Sequence, residues 1–168
     1  VVKFHFVDGK ILDVKAPFEK IIYDTLMIKK KYIEKDEFDR RVRLLLGFGH
    51  TFGHALESVS KYTVKHGQAV AWGCLFAIGV SLNMGILNWE DYDIMEDGFL
   101  PYLPDFKLTE RHIPSFMTAL GRDKKAGENL HCILSKGIGK MRQAEISFKT
   151  VEENLRDYCS YDTRPLGK

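Results

Sequence analysis

A chain of 168 residues with 45% apolar and 29% charged residues holds enough apolar material for one soluble domain with its own core. Its formal charge of +2 lacks the dense positive field that a nucleic-acid partner needs, although the lysine run at 29–31 can hold a small anion. Three cysteines (Cys74, Cys132, Cys159), odd in number and without a CxxC, speak against a disulfide framework or a thiolate zinc knuckle and suit a cytoplasmic protein.

In chain order, no charged segment followed by an apolar core opens the sequence, so no signal peptide is read. "FVDGK" reads as a turn. Pro17 then stands where a helix can begin, and Phe18, Ile21, Thr25, Ile28 and Tyr32 recur at three and four. That spacing predicts a helix with one buried stripe, ending near Lys35. A second helix is expected over 48–61 and a third over 67–87. The uncharged stretch 69–87 is nearly long enough to span a bilayer. Ser81, Asn83 and the glycines interrupt it, and acidic "WEDYD" follows without a basic flank, so a buried central helix is expected. "EDGFLPYLPDF" holds two prolines and reads as a loop. Thr109 is a plausible N-cap, with Pro114 just inside the next helix. "HCILSKGIGKMRQAEI" changes period and predicts one short β-hairpin. A closing helix over 149–158 and a tail over 159–168 complete a mainly α-helical domain spanning 1–158. No strand-and-helix alternation of a parallel nucleotide-binding sheet is visible, and the glycines of "LLLGFGHTFG" do not match GxGxxG.

"GFGHTFGHALE" (47–57) carries the first chemistry. Phe48, Phe52, Leu56 and Val59 form one stripe of its helix; His50, His54 and Glu57 lie about 200° around from it. Glycines 47, 49 and 53 each weaken a helix by up to about 1 kcal/mol, which implies a close backbone approach or room for a ligand. His66 opens the next helix, and two antiparallel helices would return it near His50. Imidazoles on neighbouring helices suit zinc, but two ligands do not complete a site; the alternative is that such histidines cap helix ends or titrate. Several cations stand near: Lys3, Lys29, Arg43, Lys124 and Lys125. Each alone is a solvated charge. Together they can hold a doubly anionic ligand, with the guanidinium fork of Arg43 suited to carboxylate or phosphate.

The run "KKKYIEKDEFDRRVRLLLGFGHTFGHALE…KHGQAV", followed by "GRDKKAGENLHCILSKGIGK", resembles the C-terminal helical domain of the 3-dehydroquinate synthase family, from the first residues to about Tyr158. The resemblance implies a carbon–oxygen lyase of the shikimate pathway. Such enzymes convert a seven-carbon sugar-acid phosphate to a carbocycle with phosphate elimination, using zinc and NAD. It also implies a homodimer and an N-terminal NAD-binding half. It makes His50 and His66 zinc ligands and His54 a catalytic, phosphate-side histidine. Lys29 and Arg43 become cations that hold substrate anions, Lys125 or Lys124 the late lysine near phosphate, and Lys3 the lysine of a Glu-x-x-Lys motif whose glutamate, the third zinc ligand, would precede Val1. The chain alone is then expected to be inactive and to bind zinc weakly.

Three positions depart from that pattern: Gly47 replaces an asparagine, Gln68 the glutamate of HGEAV, and Arg41 a glycine. Loss of the asparagine arm beside the phosphate bears most on the substrate. The alternatives are another sugar phosphate cyclase, of 2-deoxy-scyllo-inosose or valiolone synthase type, a metal- and NAD-linked alcohol dehydrogenase of the same fold, or a degenerate, non-catalytic paralogue.

Overall fold

The structure, a computed structural model, describes residues 5–7, 10–12, 18–38, 42–122 and 129–161. The expected mainly helical architecture is observed. Strands β1 (His5–Val7) and β2 (Lys10–Leu12) precede helix α1 (Phe18–Lys35), and a 3₁₀ turn (Val42–Gly47) leads into α2 (His50–Val59) and α3 (His66–Asn83). Helix α4 (Trp89–Phe99), two short 3₁₀ turns and α5 (Ile113–Arg122) follow. The chain then forms the expected antiparallel hairpin, β3 (Asn129–Ser135) with β4 (Met141–Ser147), and ends in α6 (Phe148–Tyr161).

The centre is α3. It is apolar all round, as a fully surrounded helix must be, and Ala69, Ala77, Ile78 and Ser81 have no exposed surface. No described helix is long and apolar enough to cross a membrane. Trp72 stacks on Phe76 at 5.3 Å, and Phe52 of α2 meets Phe76 edge-on at 4.9 Å. On another side, the buried Ser81 hydroxyl donates to Ala77 O (2.6 Å) and accepts from Ser135 N (3.1 Å), which fixes the hairpin against α3. Residues Leu130, Cys132 and Leu134 face the core with α5 and α6. His131 and Glu145 lie on the opposite face of the hairpin.

Several expectations are corrected. Residues 96–99, read as loop, finish α4: the Asn88 side chain accepts from Asp91 N (2.7 Å), Glu90 and Asp91 sit in the positive first turn, and Met95 is fully buried. Pro101 merely starts the following 3₁₀ turn. The turn read at "FVDGK" is flanked by a second short hairpin, β1 with β2. Helix α6 runs to Tyr161, because Val151, Leu155 and Cys159 continue one buried stripe, so residues 159–161 belong to the helix and not to a tail. The stripe of α1 is not buried: Ile21, Ile28 and Tyr32 are half-buried and Thr25 is exposed, while Ile22, Tyr23 and Leu26 face outward. Periodicity set the helix, but little of this chain covers it.

Thr109 caps its helix as expected, with a partner the sequence did not reveal. His112 Nδ1 accepts from Thr109 N at 3.0 Å, the reciprocal half of a capping box. Burial, then the nearby Arg111, lowers the His112 pKa from its usual 6.5. The unfolded chain therefore binds the proton more readily, and this contribution to stability is complete above about pH 6.5 and is lost as pH falls through the folded value. Chemical denaturation between pH 7.5 and 5 should show a small decline that His112→Asn reduces, solvent screening keeping the difference well below the worth of a full cap.

Candidate functional site

Close backbone contact between α2 and α3 builds the site. Gly49 adopts φ +78°, and a Cβ at Gly53 would lie 2.9 Å from Ala69 O. These glycines let the two helices touch backbone to backbone, as the sequence implied. The link between them is tight: Lys61 and Tyr62 both take positive φ (54° and 60°), and Tyr62 N donates to Glu57 O at 2.8 Å. This reversal returns His66 to the open end of α2.

The imidazoles of His50, His54 and His66 form a triangle with all three centroid separations at 5.6 Å. His50 and His66 are thus neighbours in one cluster of rings. His50 Nδ1 lies 3.2 Å from Phe48 O, and His66 Nδ1 lies 3.2 Å from Glu57 Oε1. With the proton on Nδ1 in each, both rings keep the Nε2 lone pair for a ligand, the outer-sphere arrangement typical of metal-binding histidines. Burial, ahead of other causes, lowers the His50 pKa, which favours the neutral form that ligation needs. Cys74, buried beside this cluster with its Sγ 3.6 Å from Phe48 O, has its thiol pushed up to about 12 by burial. It is a packing residue and not a thiolate ligand.

Beside the cluster lies a cavity of about 600 Å³. His50, His54, Thr51 and Gly47 form one side; His131, Ile133, Gln143 and Glu145 from the outer face of the hairpin form the other. A Cβ at Gly47 would meet nothing within 4 Å, so glycine there leaves space that a larger side chain can fill. Gln68 lines a different cavity, of about 690 Å³, with Phe48, Phe99 and Tyr102.

Of the predicted cations, the two among the described residues are not assembled here. Lys29 is exposed on α1, and Arg43 donates from Nη1 to Glu37 O (2.9 Å) while its backbone N donates to Asp36 Oδ2 (3.1 Å). Neither lines the cavity beside the histidines. Lys3, Lys124 and Lys125 lie outside the described residues. Two features were missed in the sequence. The histidine stripe includes Glu57 without marking it as a ligand, and the polar alternation His131, Gln143, Glu145 carries no signal beyond that of a hairpin.

Against known proteins, the family description "3-dehydroquinate synthase C-terminal" matches residues 5–126. A 3-dehydroquinate synthase of Dictyoglomus turgidum is 38% identical over 166 residues, covering 94% of this chain and 46% of that protein. One from Endomicrobium trichonymphae is 38% identical over 145 residues, covering 84% and 40%. The chain thus spans less than half the length of these curated relatives. Among solved structures, a 2-deoxy-scyllo-inosose synthase complexed with carbaglucose-6-phosphate, NAD+ and Co2+ superposes with a TM-score of 0.74 at 22% identity, covering 90% of this chain and 45% of that one. A 2-epi-5-epi-valiolone synthase from Streptomyces hygroscopicus, with NAD+ and Zn2+ bound, gives 0.69 at 18% identity over 86% and 41%. These two share the fold.

Proposed function

The chain belongs to the 3-dehydroquinate synthase C-terminal family, and from that premise we propose that it is the metal- and phosphate-side half of a carbon–oxygen lyase. In this reading the lyase closes a seven-carbon sugar-acid phosphate into a carbocycle with loss of phosphate. The observation that carries the reading is the imidazole triangle, in which His50 and His66 each have Nδ1 engaged and Nε2 available. The donor set fits a divalent ion such as zinc: neutral nitrogen ligands on two neighbouring helices, with room for substrate oxygens. Bound between these histidines, the ion supplies Lewis-acid stabilisation of oxyanion charge. In this reading His54, exposed at the cavity mouth, donates to the phosphate, while Lys29 and Arg43 stand away from that cavity and are assigned no contact with it. The described sheets are two antiparallel hairpins, so NAD and its hydride chemistry are assigned to the N-terminal half.

The assay follows phosphate release with zinc and NAD. Release is expected from the seven-carbon sugar-acid phosphate when the NAD-binding half is present, and none when this chain is alone. Release from glucose 6-phosphate or sedoheptulose 7-phosphate in its place transfers the assignment to another cyclase. Gly47 favours testing that second reading, because its open space lies beside His50 and His54. Gly47→Asn should fold with stability changed by no more than about 0.5 kcal/mol, yet alter kcat/KM by about tenfold or more through a new hydrogen bond to substrate. An unchanged kcat/KM means that this position does not touch substrate, as expected of a decayed pocket.

A further inference from the structure

Among the described residues, one group of three potential ligands converges, with one ligand atom from each within 4.8 Å of the others, and it is not the pair assigned above: it is His54, Glu57 and His66. His54 and Glu57 are three apart on α2 and share a face. His66 arrives from α3. Glu57 is held firmly: its side chain is only 14% exposed, and its carbonyl accepts from Ser60 Oγ (2.9 Å) and Tyr62 N (2.8 Å) at the end of the helix. Its two carboxylate oxygens lie 3.2 and 3.3 Å from His66 Nδ1. Donors around a tetrahedral zinc with bonds near 2.0–2.1 Å stand about 3.3 Å apart, so these two groups already have the separation of ligands to one ion.

The His66 ring offers two different nitrogens. Nδ1 faces Glu57, and Nε2 is the atom left for the space shared with His50. A neutral imidazole has one lone pair on nitrogen, so it serves one of these positions at a time. Resting on the functional reading above, we propose that the cluster has two mutually exclusive metal seats that share His66, and that the tighter one in this chain is His54–Glu57–His66. Two neutral imidazoles and one carboxylate suit a divalent ion in charge and ligand type. Both seats draw on α2 and the first residue of α3, but only the second contributes an anion. Filling it takes His54 from the phosphate and His66 from the seat shared with His50, so metal held there opposes binding of the phosphorylated substrate.

The 168-residue chain titrated with Co²⁺, followed by visible absorption and by zinc competition, tests this. Glu57→Gln and His54→Ala should each weaken binding at least about tenfold, and His50→Ala by less than about threefold. In the zinc-loaded wild-type chain, long-range ¹⁵N–¹H spectra should place the metal on Nδ1 of His66 and the proton on Nε2. If His50→Ala costs tenfold, Glu57→Gln costs little and Nε2 carries the metal, the second seat is overturned and the His50–His66 assignment stands. A wild-type chain that binds neither ion below millimolar concentration overturns both. Should Glu57→Gln fail to fold by circular dichroism, the nitrogen assignment in the wild-type chain decides alone.

Discussion

Gly73→Ala should lower stability by about 3 kcal/mol or more, in the upper range of single substitutions. For a chain of this length that corresponds to a fall in Tm of about 6–12 °C. A Cβ on residue 73 would lie far inside van der Waals contact of the carbonyl oxygen of Gly49 and 2.7 Å from Gly53 N. That nitrogen donates to the same Gly49 carbonyl at 2.8 Å, so the methyl group displaces a backbone hydrogen bond as well as a backbone. Neither neighbour is the end of a flexible side chain. Relief requires α2 and α3 to separate, against the burial of Phe52, Ala55 and Leu56 on Ala69, Trp72 and Phe76. Gly79→Ala provides the control: it is on the same helix, with nothing within 4 Å of its added methyl. It should be neutral or stabilise by up to about 1 kcal/mol, from helix propensity. Thermal melts of the two variants give the answer. Equal melting temperatures for Gly73→Ala and the unmodified chain would mean that α2 and α3 do not touch at their glycines.

This contact was partly legible. Glycines at 47, 49 and 53 within a helix-forming run are costly, and that cost pointed to a close approach before its partner was known. Gly73 gave no comparable signal, because a glycine in an apolar helix satisfies many packings. The central helix itself was plain from nineteen uncharged positions at 69–87, broken by polar residues. Helix α4 was hidden because its segment is rich in acidic residues and is followed by prolines; its cap, Asn88 on Asp91, is a local cue. For α1 the three-and-four spacing was right and burial was not, since periodicity names a face without naming what covers it.

The candidate site divides in the same way. His50 and His54 are related by helix geometry alone, so their shared face follows from their spacing. The position of His66 depends on a reversal in which Lys61 and Tyr62, neither of them glycine, adopt left-handed backbone. Side chains rarely enter that region, and no residue type there announces it. Only the folded turn shows that the Glu57 carboxylate meets His66 and not water. Resemblance supplied the zinc and phosphate roles; the three-way spacing of the rings and the place of Glu57 came from the fold.

Because His66 belongs to both seats, His66→Ala should have a larger effect on metal binding than any other single change in the cluster. Zinc affinity of the chain is expected to fall by more than about 100-fold, beyond the 10–100-fold typical of losing an outer-sphere partner. Glu57→Gln and His50→Ala each leave one seat intact and cannot reach that figure. The fold should survive. The His66 side chain is 57% exposed, and Lys65, just before α3, has an extended backbone and no side-chain cap to lose. The stability change should therefore stay within about 0.5 kcal/mol. Calorimetric zinc titration beside a thermal melt separates the two effects. A variant that melts with the parent chain and binds zinc within threefold of it would remove the ion from this turn altogether, and with it the metal-side role assigned to the chain.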